Sequence, residues 1–446
     1  MGIIPAYAGS TQAHDWCVRP PLISLDEALR VLRTANLRDL RVRQELENRF
    51  AIERVLLWIG RHGAGSLAWT LPFLHALFCC VIKQSHAVRS GDDTRTSTFR
   101  RRIFQNSLKP LNVFRKEDSM RLSVLEQSTL SEGSSATEAI ANTVSLARVI
   151  DQLGYSRIWL SEHHNLNILQ GSTPEVLLAS IGAQTTRIRL GSGGVMLPNH
   201  SAYHIAENFR TLEALYPGRV DCGIGRASGG DSYSRSLLVP TPDAWGEFGD
   251  QADQLAGYFH DACKRAFATP GVANAPPIWL LSAGSNASSG RLAADRGMGL
   301  AVALFINPDA SAEAVAQYKQ SFKPSKEFPE PRVMIAVNLV VAADNEKLQE
   351  LKKTSDFLRI MRDSGRYPSV VPAFEKLKDI RFGAHEVEYL SRISNREVIG
   401  LPLEVKKQIL ERATKYDADE VMLTMITHKL SDKIEAYRLL ASAFSL

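Results

Sequence analysis

From Met120 onward, short apolar runs alternate with segments whose apolar residues recur every three or four positions. These two spacings mark buried strands and amphipathic helices. The expected strands cover residues 122–125, 157–161, 187–190, 220–224, 277–281, 299–305, 333–341 and 420–426. The helix after the first strand opens on a capping box, Ser135-Ala-Thr-Glu138. It carries Ile140, Val144, Ala147 and Ile150 on one face and stops at Gly154. Further helices are expected over 173–184, 202–215, 248–259, 286–297, 311–322, 403–415 and 431–444, with a longer excursion at 345–395. Eight strands, each followed by a helix, predict parallel βαβ units, and eight is the number that closes a (β/α)8 TIM barrel.

Residues 1–119 read differently. They hold 18 Lys and Arg against 11 Asp and Glu, whereas residues 120–446 hold 35 against 37. The whole chain's formal charge of +5 therefore comes from the first stretch, and the remainder has no global pull toward nucleic acid or anionic membrane. An amphipathic helix is plausible over 24–57, but no strands alternate with it. The apolar run at 66–82 is short for a membrane span and is broken by Pro72 and His75. The expectation is a poorly structured extension over 1–119, with translation starting at Met120, followed by one barrel domain over 120–446. Residues 2–11 even resemble the translated product of bacterial palindromic DNA repeats. Five irregularly spaced cysteines suggest neither a disulfide framework nor a paired zinc site, which points to the cytoplasm.

In a barrel of this kind the chemistry sits where strands end. That rule gathers four motifs at one rim. The second strand ends in Ser161-Glu162-His163-His164, the third in Gly191-Ser192-Gly193-Gly194, the fourth in Gly223-Ile224-Gly225-Arg226, and the fifth in the loop 282–290. An imidazole passes protons near neutral pH, and Glu162 with one histidine could equally form a buried polar pair that braces the rim. A metal site is not expected, because adjacent histidines rarely converge on one ion. Gly193-Gly194 could lay bare backbone against a flat ligand or form an ordinary turn. The loop with Ser285, Asn286, Ser288 and Ser289 precedes a helix and could cradle an anion, with Arg226 adding a charge-assisted bond. Ser288 could also cap that helix.

These stretches resemble the bacterial luciferase-like flavin-dependent monooxygenases. The matching segments are IWLSEHH at 158–164, GSGGVMLPNH at 191–200, AENFRTLE at 206–213, PGRVDCGIGR at 217–226, LLSAGS at 280–285, VIGLPLEV at 398–405 and ADEVML at 418–423. The resemblance implies FMN at the C-terminal rim, reduced by a separate flavin reductase. It also implies O2 as co-substrate and oxidation of a small organic, aldehyde-like substrate through a flavin peroxide. Glu162 and His163 fall on the family's catalytic Glu-His, and Gly193-Gly194 falls where the isoalloxazine meets backbone, sometimes at a non-proline cis bond. Arg226 and Ser285, Asn286, Ser288 and Ser289 fall on the phosphate grip. Two departures stand out: Gly225 replaces a frequent cysteine, and Ala-Ser-Gly-Gly-Asp at 227–231 replaces Ala-Pro-Gly-Thr-Asp. A homodimer is expected, and the loops 228–245 and 363–395 are candidate lids. The alternatives are a deazaflavin-dependent oxidoreductase and a non-catalytic flavin-binding subunit.

Overall fold

The computed structural model describes residues 120–239, 246–283 and 287–446. The expected extension over 1–119, with its helix and apolar run, lies outside the described residues, as do Ser285 and Asn286.

The described strands are β1 (Arg121–Glu126), β2 (Arg157–Leu160), β3 (Arg189–Ser192), β4 (Val195–Met196), β5 (Val220–Gly225), β6 (Ile278–Ser282), β7 (Gly299–Ala303), β8 (Val333–Val341), β9 (Glu397–Gly400) and β10 (Glu420–Thr424). The helices that frame the site are α1 (Ala136–Gln152), α2 (Pro174–Gly182), α3 (Ala202–Leu215), α4 (Ser232–Leu238), α5 (Phe248–Phe259) and α6 (Ser288–Asp295). Eight strands form a closed parallel ring in the order β1, β2, β3, β5, β6, β7, β8, β10, and β10 returns to β1. The fold is the expected TIM barrel.

The strands are apolar on both faces because both faces are covered. Val124, Ile158, Leu190, Ile224, Leu280, Val302, Ile335 and Leu423 pack outward against the helices in one large cluster. Leu125, Trp159, Trp279, Ala301, Met334, Ala336 and Met422 form a second cluster. The ladder register puts these alternate residues side by side around the ring, as in Leu125 beside Trp159 and Ala301 beside Met334. This second set fills the barrel interior. Trp159 and Trp279 meet edge-on with centroids 5.7 Å apart.

Three local departures from the sequence pattern have physical causes. The third strand begins at Arg189 rather than at 187, because the Asp151 carboxylate at the end of α1 accepts the N–H groups of Thr186, Arg187 and Ile188 (2.7–3.0 Å). These donors are taken before the ladder starts. Second, β4 and β9 are strands that the pattern did not announce. β9 pairs with the distal half of β8, Asn338–Val341, whereas the proximal half, Met334–Asn338, pairs with β10. Four residues with a partner so far away leave no periodic signal. Third, α6 starts at Ser288 with Ala287 in the cap position, so Ser288 is the first helical residue and not the cap.

Candidate active site

The chain leaves β2 through Ser161, Glu162, His163 and His164. Adjacent residues of an extended chain face opposite sides, and the two histidines separate accordingly. His164 Nε2 lies 2.7 Å from Glu162 Oε1. His163 instead has its Nδ1 buried with no hydrogen-bond partner. Burial pushes the His163 imidazole down to about 4, against the opposing pull of Glu162. The ring is therefore neutral at pH 7 and presents an acceptor or a single donor, not a cation.

Glu162 is almost completely buried. It is nevertheless well supplied with donors. His200 Nε2 lies 2.8 Å from Oε1, the Met196 N–H donates to Oε2 at 2.8 Å, and Asn199 Nδ2 approaches Oε1 at 3.5 Å. Burial alone would raise its pKa, but the His200 hydrogen bond and charge, then the bonds from His164 and Met196, bring it below the ordinary value. His200 is shifted the other way. Burial opposes its charge, and Glu162 and Glu175 outweigh that effect and raise its pKa. Glu175, in the first turn of α2, is raised by burial and by Glu162. His200 and Glu175 belong to this cluster and were not singled out from the sequence. His200 lies at the end of a quoted motif, but its partner is 38 residues away.

The glycine run is built for close packing. The Gly193–Gly194 peptide is cis. A side-chain carbon at Gly193 would meet Leu125 at 2.7 Å and Trp159 at 3.0 Å, and one at Gly194 would meet the Gly223 carbonyl at 2.8 Å. At Gly223 the clash would be with the Ser192 carbonyl at 2.0 Å. Bare backbone is thus required where β3 and β5 converge, and the segment rests directly on the two interior aromatic and aliphatic side chains beneath it.

Arg226 follows β5 immediately and is exposed. β6 is the next strand of the ring, so Arg226 and the start of α6 leave adjacent strands. Ser288 is exposed and Ser289 half-buried in the first turn of α6. The loop after β5, expected as a lid, is fastened at its start. Asn199 Nδ2 donates to the Ser228 carbonyl (2.8 Å), the His164 N–H to the Gly229 carbonyl (2.9 Å), and Asn165 Nδ2 to Asp231 (2.9 Å), whose other oxygen caps α4. Gly230 fits because a side chain there would strike the His164 carbonyl at 2.7 Å. Its departure from the family pattern thus has a packing reason.

Several buried polar atoms at this rim lack partners. Ser161 Oγ and His163 Nδ1 stand at the exit of β2, and Thr424 Oγ1 at the end of β10, with β1 between the two strands. Buried polar groups are ordinarily satisfied, so a cluster of orphans at one rim fits a polar ligand.

The fold is a parallel TIM barrel, and the residues just described gather at its C-terminal strand ends, the face where barrels of this kind carry their chemistry. The family model for luciferase-like monooxygenases matches residues 120–392, and the chain belongs to that family. It is accordingly a monooxygenase. It is 42% identical over 331 residues to the uncharacterized protein YwcH of Bacillus subtilis (strain 168), a match spanning 73% of this chain and 99% of that protein. It is 34% identical over 317 residues to a luciferase-like monooxygenase of Escherichia coli (strain K12), spanning 69% and 92%. Among solved structures it resembles apo-MsnO8, with TM-score 0.68, 33% identity and coverage of 74% and 99%. Two further structures share the fold at TM-score 0.53. One is the oxygenating constituent of 3,6-diketocamphane monooxygenase from Pseudomonas putida, in complex with FMN (16% identical; 72% and 97% covered). The other is an F420-dependent secondary alcohol dehydrogenase (11% identical; 73% and 99% covered).

Proposed function

We propose that the chain takes reduced FMN from a separate flavin reductase and uses O2 to oxidise a small organic substrate of the aldehyde class or one related to it. The observation that supports this reading is the set of unpartnered buried atoms, Ser161 Oγ, His163 Nδ1 and Thr424 Oγ1, at the rim that also carries Gly193–Gly194 and Arg226. Each such atom left unsatisfied costs about 1–3 kcal/mol, and a flavin offers donors and acceptors to complete them. Gly193 and Gly194 would seat the ring. Arg226, with Ser288 and Ser289 and the preceding Ser285 and Asn286, would hold the phosphate.

The reduced flavin, when bound, would supply the two electrons that O2 needs for one of its oxygen atoms to enter the substrate and the other to leave as water. The chain's own contributions follow from its residues. His163, neutral at pH 7, would offer its unpartnered Nδ1 to the reacting groups as a hydrogen-bonding site through which a proton can pass. Trp159 and Trp279 close the barrel below the seat and keep water from reaching it from that side. A charge-assisted bond from Arg226 to a terminal phosphate would favour FMN over phosphate-free flavins.

Anaerobic titration with FMN, reduced FMN and F420, followed by flavin fluorescence, tests the cofactor. Mixing the reduced complex with 18O2 and a panel of aldehydes, ketones and aromatic compounds tests the reaction. Label in the product supports the reading, binding without turnover makes the chain a flavin-holding subunit, and preference for F420 moves it to deazaflavin chemistry. Light scattering on the same preparation tests the proposed homodimer.

A further inference from the structure

We propose that Glu162 is a positioning residue that ties three rim segments together, and that it holds the Gly193–Gly194 seat only while the imidazoles converging on it carry one proton more than two neutral rings. The seat's ligand rests on the flavin reading above; the fastening is a property of the chain alone.

The three segments are the exit of β2, through His164, the strand β4, through the Met196 N–H, and the turn after it, through Asn199 and His200. β4 begins one residue after Gly194. The position of the carboxylate therefore sets where the diglycine lies. With four donors on its two oxygens, Glu162 has little acceptor capacity left for a substrate.

Charge balance supplies the condition. Both imidazoles present Nε2 to the same oxygen. If both rings are neutral, a buried carboxylate is left with net charge −1, which is costly. One additional proton on the pair offsets the Glu162 charge. The titratable groups facing it are His163 and His164 on its own loop, His200 on the turn and Glu175 on α2. Burial and the Glu162 charge raise the Glu175 pKa. Glu162 and Glu175 favour the proton on His200, against its burial.

The sign follows. His200 has a raised pKa, so its contribution is complete below about pH 6.5 and is lost as pH rises through the raised value. Glu162 has a lowered pKa, so its contribution is present above about pH 4.5 and is lost as pH falls through the lowered value. The seat is firm between these limits.

The test is amide hydrogen exchange at Met196, expressed as a protection factor so that intrinsic pH dependence cancels. It is measured on the full chain without ligand from pH 6 to 9, alongside FMN affinity and the melting temperature. In the native protein, protection and affinity should fall together by about tenfold for each pH unit between about 6.5 and the raised His200 value, and level off above it. His200→Gln keeps a side-chain N–H but cannot titrate, so its profile should be flat. Glu162→Gln should show low protection at every pH. A flat native profile, or an alkaline loss that survives in His200→Gln, overturns the proposal. If Glu162→Gln does not fold, the His200→Gln profile decides alone. If no FMN binds but Met196 protection follows the expected profile, the flavin reading falls and the fastening stands.

Discussion

Arg157 and Glu162 lie five residues apart, at opposite ends of β2, and their surroundings are built on different principles. At the N-terminal end of the barrel, Arg157 bonds Asp221 (2.6 Å) and Glu420 (2.6 and 3.0 Å), and Arg189 bonds Asp221 again (2.7 Å). Ser123 donates to Glu420, and Trp159 Nε1 reaches Asp221 at 3.4 Å. Burial opposes the charge on Asp221, and Arg157 and then Arg189 overcome it and lower its pKa. At the C-terminal end the buried carboxylate is held by two imidazoles and two amides, and hydroxyls nearby have no partner. A guanidinium keeps its proton throughout the pH range in which the protein is folded, whereas an imidazole exchanges it near neutrality. One end thus carries fixed charge that seals the floor, and the other carries charge that responds to conditions.

Removing the fixed charge should have the largest effect. Arg157→Met leaves Asp221 and Glu420 buried without their main partner, and it should cost about 3–5 kcal/mol of stability in urea unfolding. Turnover per folded molecule should stay near native. Lost flavin affinity at native stability would mean that the two ends are not separable. The converse variant, His163→Ala, should slow turnover by roughly 10²–10⁴-fold at saturating reduced flavin with a small change in stability. Unchanged turnover would take His163 out of the proton transfer.

Acid sharpens the contrast further. His163 is held neutral by burial, with its pKa at about 4, so the unfolded chain takes up its proton first as pH falls below about 6.5. Stability should therefore drop between pH 6.5 and 4, by up to ~3 kcal/mol from this residue, and His163→Ala should show a shallower slope in urea titrations over that range. Arg226→Ala should weaken FMN by about 1.5–3 kcal/mol in fluorescence titration and riboflavin much less, because the phosphate is what the guanidinium would meet. Equal weakening would place Arg226 elsewhere. The smallest change is expected from a chain that starts at Met120, which contains every barrel strand. Its flavin affinity and melting temperature should match those of the full chain, and insoluble protein would assign residues 1–119 a part in the fold.

The ring of strands was readable because most of its residues are apolar and buried, so β8, for instance, is an unbroken run of buried residues except at Asn338. Its edges were less readable. The donors of residues 186–188 are taken by Asp151, a residue on a preceding helix, and no local pattern marks that capture. At the rim, Glu162, Gly193, Gly194 and Arg226 stood out because each sits directly at a strand end. His200 and Glu175 did not, since each joins the cluster only when two loops and a helix are brought together. The glycines had a reason that spacing alone does not reveal: the volume beside Gly193 is already occupied by Leu125 and Trp159.

The hydrogen bonds that fasten residues 228–231 to the loops after β2 and β4 also bear on how such an enzyme diversifies. Barrels of this kind vary their chemistry by changing one loop at a time while the scaffold persists. Here a new sequence at Gly229 or Gly230 must still fit the carbonyls of Glu162 and His164, 3.0 and 2.7 Å from where a side chain would begin. The loops after β2 and β5 are therefore coupled by packing, and a graft that exchanges one of them alone carries a mismatch into that rim with it.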